Sequence, residues 1–177
     1  ANAWDMYLKQ NLDEVKSHLS NVSIRAEIGS HEQLSRMLHE HSIDLALTTL
    51  PFKSDDVELL ELSDSMLTMY CSAELAEQPL WHLNISLDWG PKNNEEIERI
   101  YPEIKKADLR TGSLQVALNY LSTNKSAIIL PEQLAQPMVS KGQLVEFDSL
   151  KSLSVKCYLI YLKQIKDTRL RQFIDVF

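Results

Sequence analysis

The stretch that most constrains the fold runs from Val22 to Pro51, VSIRAEIG-SHEQLSRMLHEH-SIDLALTTLP, because its hydrophobic period changes twice. Val22, Ile24, Ala26 and Ile28 alternate with polar residues, the two-residue period of a strand. Leu34, Met37 and Leu38 follow at helical spacing. Ile43, Leu45 and Leu47 return to alternation. Gly29-Ser30 marks the strand-to-helix turn, and Ser30 with Gln33 has the spacing of a capping box. A strand, a helix and a strand joined this tightly predict a right-handed βαβ unit with parallel strands. The plan returns between Lys106 and Pro131. Leu114, Ala117, Leu118 and Leu121 give a helix stripe, and Ala127 to Leu130 a short apolar strand. Gly112-Ser113 stands where Gly29-Ser30 stood, and Pro131 where Pro51 stood. This predicts either two similar lobes or simply two βαβ units, which look alike wherever they occur.

The rest of the chain fits around these units. Trp4, Leu8, Leu12, Val15 and Leu19 predict a helix from Trp4 to Leu19, with Ala1-Asn2-Ala3 as a remnant ahead of it. A parallel α/β chain usually opens with a strand feeding its first helix. No such strand precedes Trp4, so the first strand of lobe one is expected to be missing, cut away upstream. Val57 to Leu62 and Met66 to Ser72 read as two strands around a Ser63-Asp64-Ser65 turn. Glu74 to Leu83, broken by Pro79, reads as the crossing to lobe two. Ile85 to Trp89 is a strand stopped by Gly90-Pro91, and Asn93 or Asn94 caps a short acidic helix carrying Ile97, Ile100 and Tyr101. Pro131 and Pro137 bracket a short helix or turn. Leu144 to Phe147 is a strand, and the apolar run Ser154 to Leu162 returns to lobe one. Leu170, Phe173, Ile174 and Phe177 give a last helix. The predicted class is α/β with two crossovers: residues 1–82 plus 155–177 as lobe one, and 83–154 as lobe two. Such a topology permits hinge closure around a ligand in the cleft between lobes.

The chemistry points away from catalysis. The formal net charge of −7 argues against this chain binding nucleic acid alone, since phosphate contacts need a basic face. A local anion site stays open. Cys71 and Cys157 match no metal motif and read as buried thiols, with a disulfide as the lesser alternative. No run of about 18 apolar residues is present to span a membrane. His39 and His41 are two apart and point to different faces, and H-E-x-x-H, G-x-S-x-G, P-loop and G-x-G-x-x-G patterns are absent. No catalytic group, metal or cofactor is expected. Asp44 reads as a structural acceptor. Trp81 and Trp89 read as core or hinge packing, Trp89 having the better claim to a ligand because it ends a strand. The positive signal is Ser30 and Ser113, each at a helix N-terminus after a strand, where free N–H groups and the dipole favour anions. Thr48 and Thr49 end one strand and Thr111 another, so hydroxyls should ring one cleft. Capping alone explains either serine; their convergence favours a site.

With those residues in place, the chain resembles the effector-binding domain of LysR-type transcriptional regulators. The resemblance rests on Gln33-Leu34, Leu38-His39-Glu40, Ile43-Asp44-Leu45-Ala46-Leu47-Thr48-Thr49 and Leu130-Pro131, and it covers essentially the whole chain. His39-Glu40, Asp44-Leu45, Thr48-Thr49 and Leu87-Asp88-Trp89-Gly90-Pro91 look most like the branch named for an H-NS-dependent flagellar regulator. The resemblance implies a type 2 periplasmic-binding-protein-like fold with two Rossmann-like lobes, and a small effector in the cleft. It also implies an N-terminal winged helix-turn-helix for promoter DNA, which lies outside this chain. Carried over residue by residue, effector contacts are implied at Trp4, Ser30, Thr48, Thr49, Thr111, Gly112 and Ser113, to which Trp89 is added from its strand-end position. Two departures stand out. Ala3-Trp4 replaces the usual hydroxyl at the first helix, and Asn124-Lys125-Ser126 replaces the usual glycines before Leu130-Pro131.

The expected function is thus a cytoplasmic effector-sensing domain taking a small polar or anionic ligand. It would form a homodimer or tetramer and reach promoter DNA only through the missing domain. A transport-type solute-binding protein of the same architecture is the alternative. An enzyme on this fold is disfavoured by the lack of any acid–base or nucleophile constellation.

Overall fold

The structure is a computed structural model, and it describes residues 2–8, 13, 16–17, 23–76, 84–165 and 167–175. The chain divides into two compact units: Ala3–Ser63 with Lys156–Phe177, and Asp64–Val155 with Asn2. Two long strands, β2 (Val57–Ser72) and β6 (Leu144–Leu162), each pass from one unit into the other.

Unit one opens with a short helix of π-type turns, α1 (Trp4–Leu8). Of the stripe expected to continue it, Leu12, Val15 and Leu19 lie outside the described residues. Residues 23–30 are next, then α2 (His31–His39) and β1 (Leu45–Thr48). β1 pairs antiparallel with β6, Leu45 opposite Tyr161 and Thr48 opposite Tyr158. One core cluster joins Leu38 of α2, Ala46 of β1, Val57 of β2 and Ile160 of β6, flanked by Leu34, Ile43, Phe52 and Leu59. Leu34, Met37 and Leu38 thus turn one helical stripe inward, as their spacing predicts. The chain ends with α6 (Thr168–Ile174), capped by Asp167.

Unit two is a fuller α/β layer. β3 (Ile85–Leu87) pairs parallel with both β4 (Leu109–Thr111) and β5 (Ala127–Pro131), and β5 pairs antiparallel with β2. All five residues of β5 are buried, the continuous apolar run of a strand covered on both faces. α3 (Pro91–Ile100), α4 (Leu114–Thr123) and α5 (Glu132–Ser140) supply the cover, through Ile97, Leu114, Ala117, Leu121 and Ala135. The second predicted βαβ unit is therefore present, with β3 lying between its strands. Cys71 and Cys157 are buried free thiols, and burial pushes Cys157 up to about 12. Neither is poised as a nucleophile.

Several expectations need correction. The strand expected over Val22 to Ile28 carries no ladder in its described part: residues 23–28 are outside any strand and exposed. The first βαβ unit is therefore a helix and one strand. Ser63-Asp64-Ser65 is no turn; it lies within β2, a strand of the sheet that runs on through these weak strand formers. Leu144–Phe147 and Ser154–Leu162 likewise merge into β6. Pro137 sits inside α5 on an exposed position rather than ending it. Gly90, at φ 91°, is the residue before α3, so Asn93 and Asn94 lie within its first turn. There Asn94 Oδ1 accepts from Trp89 N at 3.0 Å, tying the turn from inside.

Candidate functional site

In unit one, Ser30 forms the capping box its sequence predicts. Its Oγ accepts from Gln33 N at 3.2 Å, and its own N–H donates to Gln33 Oε1 at 2.8 Å. The same hydroxyl donates to Glu32 Oε2 at 2.9 Å. Glu32 is held below the usual carboxylate range by its own backbone N–H and by that hydroxyl. An ionised carboxylate therefore already sits at the start of α2, where an incoming anion would meet repulsion. Thr48 is buried, and its hydroxyl donates to Leu50 O at 2.9 Å while accepting from Leu50 N at 3.1 Å. It fixes the turn after β1. Thr49 is half-buried beside it. Trp4 is half-buried and lines a groove of about 900 Å³ within unit one.

In unit two, β4 delivers Thr111, Gly112 and Ser113 to the start of α4. Ser113 N donates to Thr111 Oγ1 at 3.0 Å, and Ser113 Oγ accepts from Val116 N at a long 3.5 Å. Gly112 is exposed, with nothing within 4 Å of where a Cβ would stand. Thr111 O accepts from Asp88 N at 3.0 Å, which locks the end of β3 to the end of β4. The first turn of α4 holds no acidic residue. Ligands of open α/β sheets gather beyond such strand ends, where helix N–H groups are free.

Two residues depart from expectation here. Trp89 is 3 % exposed and its Nε1 donates to Ile129 O at 3.0 Å, so its ring is core packing with its one donor satisfied. Asn2, taken for a remnant, is buried. Its Oδ1 accepts from Leu114 N at 3.0 Å and its Nδ2 donates to Asp88 O at 3.3 Å. With the Leu114 and Val116 N–H groups so occupied, the Gln115 N–H is the one in that turn with no partner among the described residues. Only the polarity of Asn2 ahead of an apolar stripe hinted at this in sequence.

The structure thus brings Thr111, Gly112 and Ser113 together, with Asn2 and Asp88, and separately sets Ser30, Thr48, Thr49 and Trp4 in unit one. Trp81 lies outside the described residues. Among the described residues no cluster of His, Cys, Asp or Glu is arranged to hold a metal, and no helix is long and apolar enough to cross a membrane. His39 does meet Ser54 and Asp56, with Nε2 at 3.1 Å from Ser54 Oγ and 3.4 Å from Asp56 Oδ1. The Ser54 hydroxyl itself donates to Asp56, so it is not activated by the imidazole.

These features match known proteins. Residues 5–177 match the family model described as the LysR substrate binding domain. The chain is 28% identical over 143 residues to the HTH-type transcriptional regulator HdfR of Yersinia pestis (strain Pestoides F), covering 75% of this chain and 49% of that protein. It therefore spans about half the length of those relatives. Among solved structures, the regulatory domain of MetR, a LysR family regulator from N. meningitidis, superposes with TM-score 0.67 at 18% identity, over 99% of this chain and 87% of that one. The effector binding domain of a BenM variant gives TM-score 0.68 at 13% identity, over 99% and 89%. Full-length LysG of Corynebacterium glutamicum with bound effector Arg gives 0.67 at 15%, over 93% and 60%. The fold is that of the LysR effector-binding domains, the periplasmic-binding-protein-like α/β class, and the relatives are transcription regulators rather than enzymes. The chain belongs to the LysR substrate-binding domain family.

Proposed function

We propose that this chain is the effector-sensing part of a longer LysR-type transcription regulator working in the cytoplasm, and that its effector is a small molecule with a negative group. In this reading the negative group is taken by Thr111, Gly112 and Ser113, while Ser30, Thr48, Thr49 and Trp4 serve the polar remainder. The observation that carries it is the start of α4: a Gln115 N–H with no partner among the described residues, an open approach over Gly112 and no acid in the first turn. The helix dipole there contributes about 0.3–1 kcal/mol toward a negative charge, and each hydroxyl bond roughly 0.5–1.5 kcal/mol net of water. Ordering costs are subtracted from that sum, which suits micromolar sensing better than tight storage. Promoter binding belongs to the part of the protein outside this chain, and self-association through the face that α1 opens gives a homodimer or tetramer.

The test is thermal stabilisation in a screen of anionic metabolites. Gly112→Glu introduces a negative charge into open space, so the variant should fold as the parent does. It should weaken any anionic hit by at least about tenfold, the effect of roughly 1.4 kcal/mol of like-charge repulsion. A parent-like response from Gly112→Glu would place the anion elsewhere. Separately, sequence-specific binding of promoter DNA by this chain alone would contradict the division of labour.

A further inference from the structure

The start of α4 carries a polar group that comes from neither the helix nor the strand before it. Asn2, Asp88, Thr111 and Leu114 all belong to unit two. Asn2 is 8 % exposed. Its carboxamide spans two backbone groups: Oδ1 accepts from Leu114 N at 3.0 Å, and Nδ2 donates to Asp88 O at 3.3 Å. Those two partners decide which end of the amide is which, because an N–H needs an oxygen and a carbonyl needs an N–H. They are also held at a fixed spacing, since Asp88 N donates to Thr111 O and Ser113 N to Thr111 Oγ1, both at 3.0 Å. A helix cap needs only an acceptor, and Ser113 already stands at that position. The Asn2 amide does more: it bonds a helix N–H and a strand-end carbonyl at once. That is what a small ligand lying across the end of this sheet would do.

We propose that the Asn2 carboxamide is the chain's own stand-in for its effector, and that the effector displaces it. The inference rests on the reading of the α4 start as the effector's anion site. It narrows the effector to one class: a small acid with a hydrogen-bond donor on the carbon next to its carboxylate, an α-hydroxy or α-amino acid. The carboxylate takes over the Leu114 N–H from Oδ1. Its second oxygen reaches the Gln115 N–H, which has no partner among the described residues. The neighbouring hydroxyl or ammonium takes over Asp88 O from Nδ2. Gly112, with nothing within 4 Å of where a Cβ would stand, leaves the approach open. An acid without the donor leaves Asp88 O unpaired once Asn2 has moved, and binds more weakly for that reason. The resting contact therefore sets the sensing range, because apparent affinity falls with the fraction of molecules in which Asn2 has let go.

The probes are glycolate, glycine and acetate, titrated at constant ionic strength into the 177-residue chain and followed by two-dimensional amide NMR. Glycolate or glycine should move the Leu114 and Gln115 backbone signals, and should carry the Asn2 side-chain amide signals toward those of a solvent-exposed asparagine. The tighter of the two tells whether the donor is a hydroxyl or an ammonium. Acetate should bind about fivefold more weakly than that probe, the effect of one unmade hydrogen bond. Asn2→Ala should bind the same probe about tenfold more tightly than the parent, as follows if Asn2 holds its place in about nine molecules of ten. An Asn2→Ala affinity no better than the parent's overturns the displacement, and acetate as tight as the other two overturns the class. Asn2 side-chain signals that stay put in the parent while Gln115 moves also overturn it, whether or not the variant folds, and leave the anion site itself standing. No shift from any probe in either protein removes the anion site and this inference together.

Discussion

Residues 23–29 and β4 each lead into a serine-capped helix, and each is followed by a short apolar strand. In unit two that arrangement is held by a ladder and a helix: β4 against β3, β3 against β5, and α4 over them with Leu114 and Ala117 nearly fully buried. In unit one the lead-in has no ladder and its isoleucines face water. The same local signals therefore give a finished βαβ unit in one place and a helix with a loose approach in the other. Alternation makes a strand possible; a partner's N–H and C=O groups make it one.

The contrast can be broken most sharply by one pair of substitutions. Ile128→Ala, at a fully buried position in β5, should cost about 2–5 kcal/mol in urea unfolding, the sum of lost transfer energy and a cavity. Ile28→Ala, 79 % exposed, should stay within about 0.5 kcal/mol of the parent. A large loss at Ile28 would mean that the segment is packed after all.

Asn2→Ala should come next. It leaves the buried Leu114 N–H without a partner, at a cost of about 1–3 kcal/mol. Denaturation at unchanged m-value would measure it, and a neutral result would show that water replaces the amide.

The caps sharpen the comparison from the other direction, because there unit one is the better built. Ser30→Ala should cost about 1 kcal/mol, since its capping box is complete at 3.2 and 2.8 Å. Ser113→Ala should cost less, since its Oγ lies 3.5 Å from Val116 N. Equal losses, read by chemical denaturation, would remove the distinction.

The neighbouring glycines should follow the same order with smaller effects. Gly112→Ala meets nothing within 4 Å and should be neutral or stabilise by up to about 0.4–1 kcal/mol through the unfolded chain. Gly29→Ala places its Cβ 3.3 Å from Gln33 Cβ, inside the capping box, and should be the worse of the two. Melting curves that rank them the other way would contradict the geometry.

The smallest expected effect concerns pH and lies in unit one alone. His39 is raised above 6.5, chiefly because its ring donates to Ser35 O, with Asp56 adding to it. A raised folded value means that its contribution is present below 6.5 and is lost as pH rises through the folded value. Melting measured from about pH 6 to about pH 8 should fall slightly more for the parent than for His39→Gln. An equal slope would show that solvent screens the pair completely.

Which parts of this could be read from residues alone follows from how far each signal reaches. The helix stripe of Leu34, Met37 and Leu38, the Ser30–Gln33 box, the apolar run of β5 and the buried cysteines are set within a few residues of themselves, and the sequence determined them. The family likeness came from the same short motifs. Tertiary structure alone decided that Ser63-Asp64-Ser65 is strand and not turn, because pairing within the sheet outweighs local turn preference. It decided that Trp89 is core, by bringing Ile129 O within reach of its indole, and that Asn2 caps a helix 112 residues away. It also left residues 23–28 without a ladder, since a strand needs a neighbour that its own residues cannot supply.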